Sequence, residues 1–366
     1  MFYTETEARE KVLEAGLELL RSGLIARTWG NISARISEEE FIITPSGRTY
    51  ESLTPDDLVT VRISDCSYAG DVKPSSEKGV HAAAYRKRPD ARFVIHTHQE
   101  YASALSVLGG VFIVNPGRGG SVYLGEDVPT ARYGLSSTKK LTKNVEAALA
   151  EHPGCRAVLM RNHGTVCVGR DSEEAFRTAR HLERAARRRY FAMTGSLYPQ
   201  EALEDRPLSA YAEVLHREIH DEFDRRYLVF DDPSINVILE TEAPFIKTVS
   251  MSGKTMPAYI DDLAQIAGPR IRCLEADASD QEIAHAVKGG GAVLLRGKGA
   301  VCAAGSEDDA AAMMTVLNKN CMAALLAGAG YRAIPVRVLA GALEHQIYRS
   351  SYSKLAEVGN AEETDG

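Results

Sequence analysis

The stretch Ala157-Val-Leu-Met-Arg-Asn-His-Gly-Thr-Val-Cys167 is echoed downstream by Ala292-Val-Leu-Leu-Arg-Gly-Lys-Gly-Ala-Val-Cys302, an offset of 135 residues (292 against 157). Each copy reads as two short apolar strands returning through a glycine-bearing turn. Each leads into a helix start, Ser172-Glu-Glu-Ala175 and Ser306-Glu-Asp-Asp309. A period of domain size marks a duplication and not a solenoid. A chain of 366 residues has room for two domains.

Working outward from the first copy, Thr6 to Gly23 has apolar residues at helical spacing and a glycine stop. Ile32–Ile36 and Glu40–Thr44 read as strands around the polar turn Ser37–Glu39, and Leu58–Ile63 as a third. Ser75–Arg88 reads as a helix, with Ser75 or Ser76 as its cap and Pro89 as its terminator. Arg92–Thr97 is a strand, Glu100–Leu108 and Leu141–Ala150 are helices, and a long helix spans Ser172–Ala192. Strands that return through tight turns, with helices between them, predict an α/β fold: an α/β/α sandwich around a mainly antiparallel sheet. Leu197–Pro207 reads as a linker. The expected domains are therefore 1–205 and a shorter, degenerate second copy over 206–366. The pairing of Leu239-Glu-Thr-Glu242 with Ile95-His-Thr-His98 extends the repeat, with small gaps.

The formal charge of −7 disfavours nucleic acid and anionic membranes as partners, since that affinity comes from excess Lys and Arg. No uninterrupted apolar run has the length of a membrane span. The first residues, with Glu5, Glu7, Glu10 and Glu14, do not resemble a signal peptide. Six cysteines without a C-x-x-C read as reduced thiols of a cytoplasmic protein. Gly253-Lys-Thr255 is not a nucleotide loop, because Thr248 stands where its first glycine belongs. His216 and His220 read as a solvated helical pair.

Chemistry concentrates in the first copy. His96 and His98 share one face of a strand, and His163 sits in the turn of the decisive stretch. Three imidazoles with an open position suit a catalytic divalent ion. The same spacing also suits hydrogen-bonded core histidines. Three further turns are rich in Gly, Ser, Thr and Asn: Thr28, Gly30 and Asn31; Ser46 and Gly47; Ser75 and Ser76. Each alone is ordinary turn or cap chemistry; together they form a cradle for a phosphate. Glu77 is either a general base beside the ion or a first-turn acid on a helix.

In order along the chain, Thr28-x-Gly-Asn-x-Ser33, Thr44-Pro-Ser-Gly47, Pro74-Ser-Ser-Glu77, His96-Thr-His98 and Arg161-Asn-His-Gly164 resemble the class II aldolase/adducin family, and in particular its L-fuculose-phosphate aldolase-like members. The resemblance is dense over residues 5–195 and weaker over 235–330. It implies a zinc-type divalent ion, one per chain, on His96, His98 and His163. It implies Glu77 as the base and Thr28, Gly30, Asn31, Ser46, Gly47, Ser75 and Ser76 as the phosphate site. The implied activity is that of a metal-dependent aldehyde-lyase: retro-aldol cleavage of a phosphorylated ketose, or a related small sugar phosphate, through a metal-stabilised enediolate. Epimerisation, dehydration and decarboxylation run on the same scaffold, and adducin-like relatives act as non-catalytic scaffolds. Those aldolases carry a catalytic tyrosine in the segment that reads Val114–Tyr123 here, with Gly117 near its position and Arg118, Tyr123 and Tyr133 as alternatives.

In the second copy Lys298 replaces His163, and Glu240 and Glu242 replace His96 and His98. An ammonium repels a cation, so this half is expected to lack metal and to keep Lys298 salt-linked to the two glutamates. The resemblance also implies a homo-oligomer, in which the tandem chain stands for two neighbouring subunits and a dimer forms a pseudo-fourfold ring.

Overall fold

The computed structural model describes residues 2–25, 29–113, 121–125, 127–204, 206–216 and 232–351. They fall into two compact units, residues 1–190 and 191–366.

The first unit opens with α1 (Glu5–Arg21), which Thr4 caps: its hydroxyl accepts from the Glu7 N–H and the Glu7 carboxylate reaches back to the Thr4 N–H. Then follow β1 (Asn31–Arg35), β2 (Glu40–Ile43), β3 (Val59–Arg62), α2 (Lys78–Lys87), β4 (Phe93–Thr97), α3 (Glu100–Ser106), β5 (Val111–Ile113), α4 (Ser121–Leu124), β6 (Asp127–Ala131), α5 (Lys139–Glu151), β7 (Ala157–Met160), β8 (Thr165–Gly169) and α6 (Ser172–Thr194). The strands form one sheet in the order β3-β2-β1-β4-β8-β7-β6-β5. Every pairing is antiparallel except that of β6 with β7.

Alternation along the strands decides what faces what. Phe41, Ile43, Val94, Val166 and Val168 pack with Val80 and Tyr85 of α2 and Leu141, Val145 and Leu149 of α5 in one apolar layer. Each such buried side chain contributes about 1.5–3 kcal/mol. His96 has the parity of Val94, so it emerges on the α2 side at the end of β4. α1 packs against β1 and β2, and α3 against β7.

Two local readings change. The helix expected from Ser75 begins at Lys78, with Glu77 at the N-cap position and no side-chain cap bond. Ser75 and Ser76 therefore precede the helix and are not its caps. His216 closes a strand and does not lie in a helix; His220 lies outside the described residues.

The second unit contains β9 (Ala212–His216), β10 (Val237–Thr241), α7 (Pro244–Ser250), β11 (Met256–Pro257), α8 (Asp261–Ala267), β12 (Arg270–Ile271), β13 (Cys273–Leu274), α9 (Asp280–Ala286), β14 (Gly291–Leu295), β15 (Gly299–Ala304), α10 (Glu307–Gly328) and α11 (Val338–Ser351). Its main sheet has the order β13-β14-β15-β10-β9. The repeat extends to register. Cys167 pairs with Ala157 and with Ile95, and Cys302 pairs with Ala292 and with Leu239. Glu240 thus occupies in its sheet the place of His96. Short 3-10 turns occupy Gly195–Leu197, Gln200–Glu204 and Leu208–Tyr211 around the expected linker.

Helix α10 is long and apolar enough to cross a membrane, but 78% of its most apolar window is buried inside the protein. It carries Lys319, buried and paired with the buried Asp262 at 3.0 Å. All six cysteines are free thiols, four of them buried.

Candidate active site

The ends of four strands meet at one edge of the first sheet. Asn31 begins β1 opposite His96 near the end of β4, Thr44 follows β2, and Thr165 begins β8. His163 sits in the β7–β8 turn, where its N–H donates to Met160 O at 3.0 Å. The turn passes so close to β4 that a Cβ at Gly164 would collide with the Thr97 carbonyl oxygen. Only glycine fits there. Gly299 makes the same approach to Thr241 in the second unit. Gly30 is held in the same way, since a Cβ there would lie 2.8 Å from the His96 carbonyl oxygen.

The three histidines converge. All are buried, and one ring nitrogen from each lies within 4.8 Å of the others. His96 and His163 stack with 5.1 Å between ring centres, and His98 stands edge-on to both. His96 Nδ1 donates to the Thr165 carbonyl at 2.9 Å, which leaves its Nε2 with a lone pair turned inward. His98 Nε2 is 2.8 Å from that nitrogen. At this separation the two nitrogens either share a proton or face one positive centre, and His163 turns a third ring nitrogen to the same point. The donor set of three nitrogens therefore fits a divalent transition ion with an open coordination position.

Glu77 is buried against this cluster, with Oε2 2.9 Å from His96 Nε2 and Oε1 3.2 Å from His163 Nε2. Burial pushes its pKa up, but the His163 and then the His96 imidazole against it outweigh this and hold the carboxyl well below the usual range. Its backbone N–H donates to Ser75 Oγ at 3.2 Å, which links the carboxylate to the serine-rich turn.

That turn joins the second one. Ser46 N–H donates to Lys73 O and Ser75 N–H to Thr44 O, each at 2.9 Å, and Pro45 bridges to Pro74. Ser75 and Asn31 are buried, Ser46 and Ser76 half-buried, and Gly47 exposed. Asn31, Ser46, Gly47, Ser75 and Ser76 thus line the same edge of the sheet as the histidines. Thr28 lies outside the described residues.

Several residues here have no obvious sequence signal. Ser137, a non-glycine with φ of 63°, donates its hydroxyl to Ser76 Oγ at 2.8 Å. His81, four residues beyond Glu77, is fully buried between Ser33 Oγ at 2.7 Å and Asn31 Oδ1 at 2.5 Å. Burial, with His96 adding to it, pushes the His81 pKa down to about 3, so the ring is neutral. The four-residue step from Glu77 was the available hint. Of the tyrosines near Gly117, Tyr123 stacks on His181 at 4.3 Å. Tyr133 lies in the loop after β6 that carries Ser137. Arg118 and Gly117 lie outside the described residues.

In the second unit the expected ionic remnant is absent in that form. Glu242 is exposed and pairs with Lys247 at 2.6 Å, and Lys298 is exposed. Lys298 lies exposed in the β14–β15 turn.

Residues 10–190 and 198–325 match the family described as Class II Aldolase and Adducin N-terminal domain. The chain belongs to the class II aldolase and adducin family, and is an enzyme of the class II aldolase type. It is 32% identical over 206 residues to a 5-deoxy-D-ribulose 1-phosphate aldolase of Bacillus thuringiensis serovar kurstaki, covering 54% of this chain and 92% of that protein. Among solved structures, it is similar to an L-fuculose 1-phosphate aldolase, with 27% identity, 56% of this chain and 95% of the other covered, and a TM-score of 0.48. It is also similar to YgbL of Klebsiella pneumoniae, described as a putative aldolase/epimerase/decarboxylase, with 29% identity, 50% and 89% covered, and a TM-score of 0.45.

Proposed function

We propose that this chain cleaves a 1-phosphorylated 2-ketose between C3 and C4, releasing dihydroxyacetone phosphate and an aldehyde. The observation that carries the reading is the position of Glu77, whose carboxylate touches His96 and His163 while its backbone is tied to the serine turn. A proton-transfer group is thereby fixed between an ion site and an anion site. The relatives named for 5-deoxyribulose 1-phosphate and fuculose 1-phosphate share this substrate chemistry and differ in the aldehyde end.

His96, His98 and His163 would hold one zinc or other divalent transition ion per chain. Bound there, such an ion supplies Lewis acidity toward the ketose oxygens and stabilises the negative charge that develops on them. Thr165 fixes the His96 tautomer. Asn31, Ser46, Gly47, Ser75 and Ser76 hold the phosphate, so that binding energy from the unreactive end orients the reacting carbons. In cleavage the Glu77 carboxylate takes up the proton of the C4 hydroxyl, the C3–C4 bond breaks with its electron pair left on C3 of the dihydroxyacetone phosphate fragment as the C4 carbonyl forms, and Glu77 returns that proton to C3. In the reverse direction the same carboxylate removes it. Residues 206–366 serve as architecture without an ion of their own.

The test is direct. Purified, zinc-loaded protein is incubated with 5-deoxyribulose 1-phosphate and fuculose 1-phosphate, and dihydroxyacetone phosphate is followed by a coupled reduction. Turnover of either ketose supports the reading. Conversion to an epimer without dihydroxyacetone phosphate, or no turnover of either, overturns it.

A further inference from the structure

His81 has no part in the chemistry above, yet it is fully buried beside the phosphate cradle. It lies on α2 with no exposed surface, stacked parallel to Phe41 with 6.5 Å between ring centres. Both its nitrogens are engaged. Asn31 Oδ1 is 2.5 Å from Nε2, and an amide oxygen only accepts, so Nε2 carries the ring proton. Nδ1 then accepts from Ser33 Oγ at 2.7 Å. Ser33 Oγ in turn lies 2.8 Å from the hydroxyl of Tyr85, whose single proton is shared in a three-centre bond between Ser33 Oγ and the Ser33 carbonyl, 3.0 Å away. The chain of bonds runs in one direction, Tyr85 to Ser33 to His81 to Asn31.

An asparagine side chain is nearly symmetric in shape and can turn either end to a ligand. An outward-turned oxygen repels a phosphate; an outward-turned amide donates to it. We propose that His81 is a positioning residue for the oxyanion site: it takes up the Asn31 carbonyl oxygen, so that Asn31 offers the substrate phosphate only N–H donors. Ser33 and Tyr85 hold His81 in the tautomer this requires. The inference rests on the phosphate reading above and adds to it a group that never touches the ligand.

Inorganic phosphate is the probe, and calorimetric affinity in the full-length, zinc-loaded chain is the readout. Wild-type protein is expected to bind phosphate. His81→Phe keeps the ring stack but removes the donor, and is expected to lose about tenfold in affinity, the scale of one hydrogen bond to a charged group. Asn31→Ala is expected to lose a similar factor, and the double variant no more than either single one. His81→Gln, which restores an N–H near the Nε2 position, recovers most of the affinity. Metal content stays at the wild-type level throughout. Unchanged affinity in His81→Phe, or losses that multiply in the double variant, would overturn the inference. Should His81→Phe not fold, Ser33→Ala removes only the donor to Nδ1, and a wild-type phosphate affinity in that variant overturns it equally. If wild-type protein takes up no phosphate, the phosphate reading itself fails and takes this inference with it.

Discussion

Glu77 and His163, 86 positions apart in the chain (163 against 77), stand 3.2 Å apart from carboxylate oxygen to ring nitrogen. The contact joins the start of α2 to the β7–β8 turn, and the carboxylate reaches His96 from the same place. Replacing Glu77 with glutamine keeps the volume and removes the proton acceptor. Glu77→Gln is expected to retain its zinc and its melting temperature while kcat falls by about 10²–10⁴-fold. Elemental analysis beside steady-state rates checks this, and an unimpaired kcat would remove Glu77 from the proposed role.

His163→Ala leaves two imidazoles where three converge. The stoichiometry of bound metal after dialysis is expected to fall from one per chain to well below that. Lys298→His in the second unit is expected to add none, because Glu242 there is exposed and engaged with Lys247. Retention of a full equivalent in His163→Ala contradicts the ligand assignment.

Ser76 lies half-buried at the cradle and is bonded to Ser137. Ser76→Ala is expected to lower kcat/KM for a phosphorylated ketose about tenfold and to leave turnover of the unphosphorylated sugar unchanged. An equal loss on both substrates points to misfolding and not to phosphate recognition.

The pKa of His81 sets an acid limit on stability. The folded ring stays neutral down to about pH 3, while the unfolded chain takes up the proton near 6.5. Below about 6.5 the unfolded state binds more protons, so stability falls as the pH drops through this window, by up to about 1.4 kcal/mol per unit. Denaturant titrations from pH 7 to 4 are expected to show a shallower slope in His81→Gln than in wild type. Identical slopes would place the acid sensitivity elsewhere.

Gly164→Ala pushes a methyl group into the Thr97 carbonyl. It is expected to lower the melting temperature and also to lose metal, because His163 is the preceding residue. Gly299→Ala makes the matching clash with Thr241 and is expected to lower stability while metal per chain stays at one. A metal loss in Gly299→Ala would show that the ion does not reside in the first unit alone.

Much of this was legible in the sequence. The Cys167 and Cys302 stretches gave the repeat, and alternation along Arg92–Thr97 put His96 on a definite face. Five short motifs brought Asn31, Ser46, Ser75, Glu77 and the histidines to one edge. What escaped the reading depends on contacts between distant segments. Ser75 and Ser76 satisfy the local rule for helix caps, but their partners are Glu77 N–H and Ser137, and the second lies 61 positions away. His81 looks like any helical residue until Ser33 and Asn31, from another strand, close around it. Lys298 follows from the motif as a replaced ligand, yet nothing local indicates that its side chain is left in water.

The glycine crossing at Thr97 recurs at Thr241, once with imidazoles beside it and once without. On the proposed reading of the first unit, backbone sterics shared by both units set this frame, and coordination is a tenant of the fold and not its architect. A protein so built is expected to exchange its ion without unfolding. Its occupancy then follows the relative abundance of divalent metals around it, weighted by their intrinsic order of affinity. Samples purified from media of different metal supply are expected to share one fold and differ in turnover.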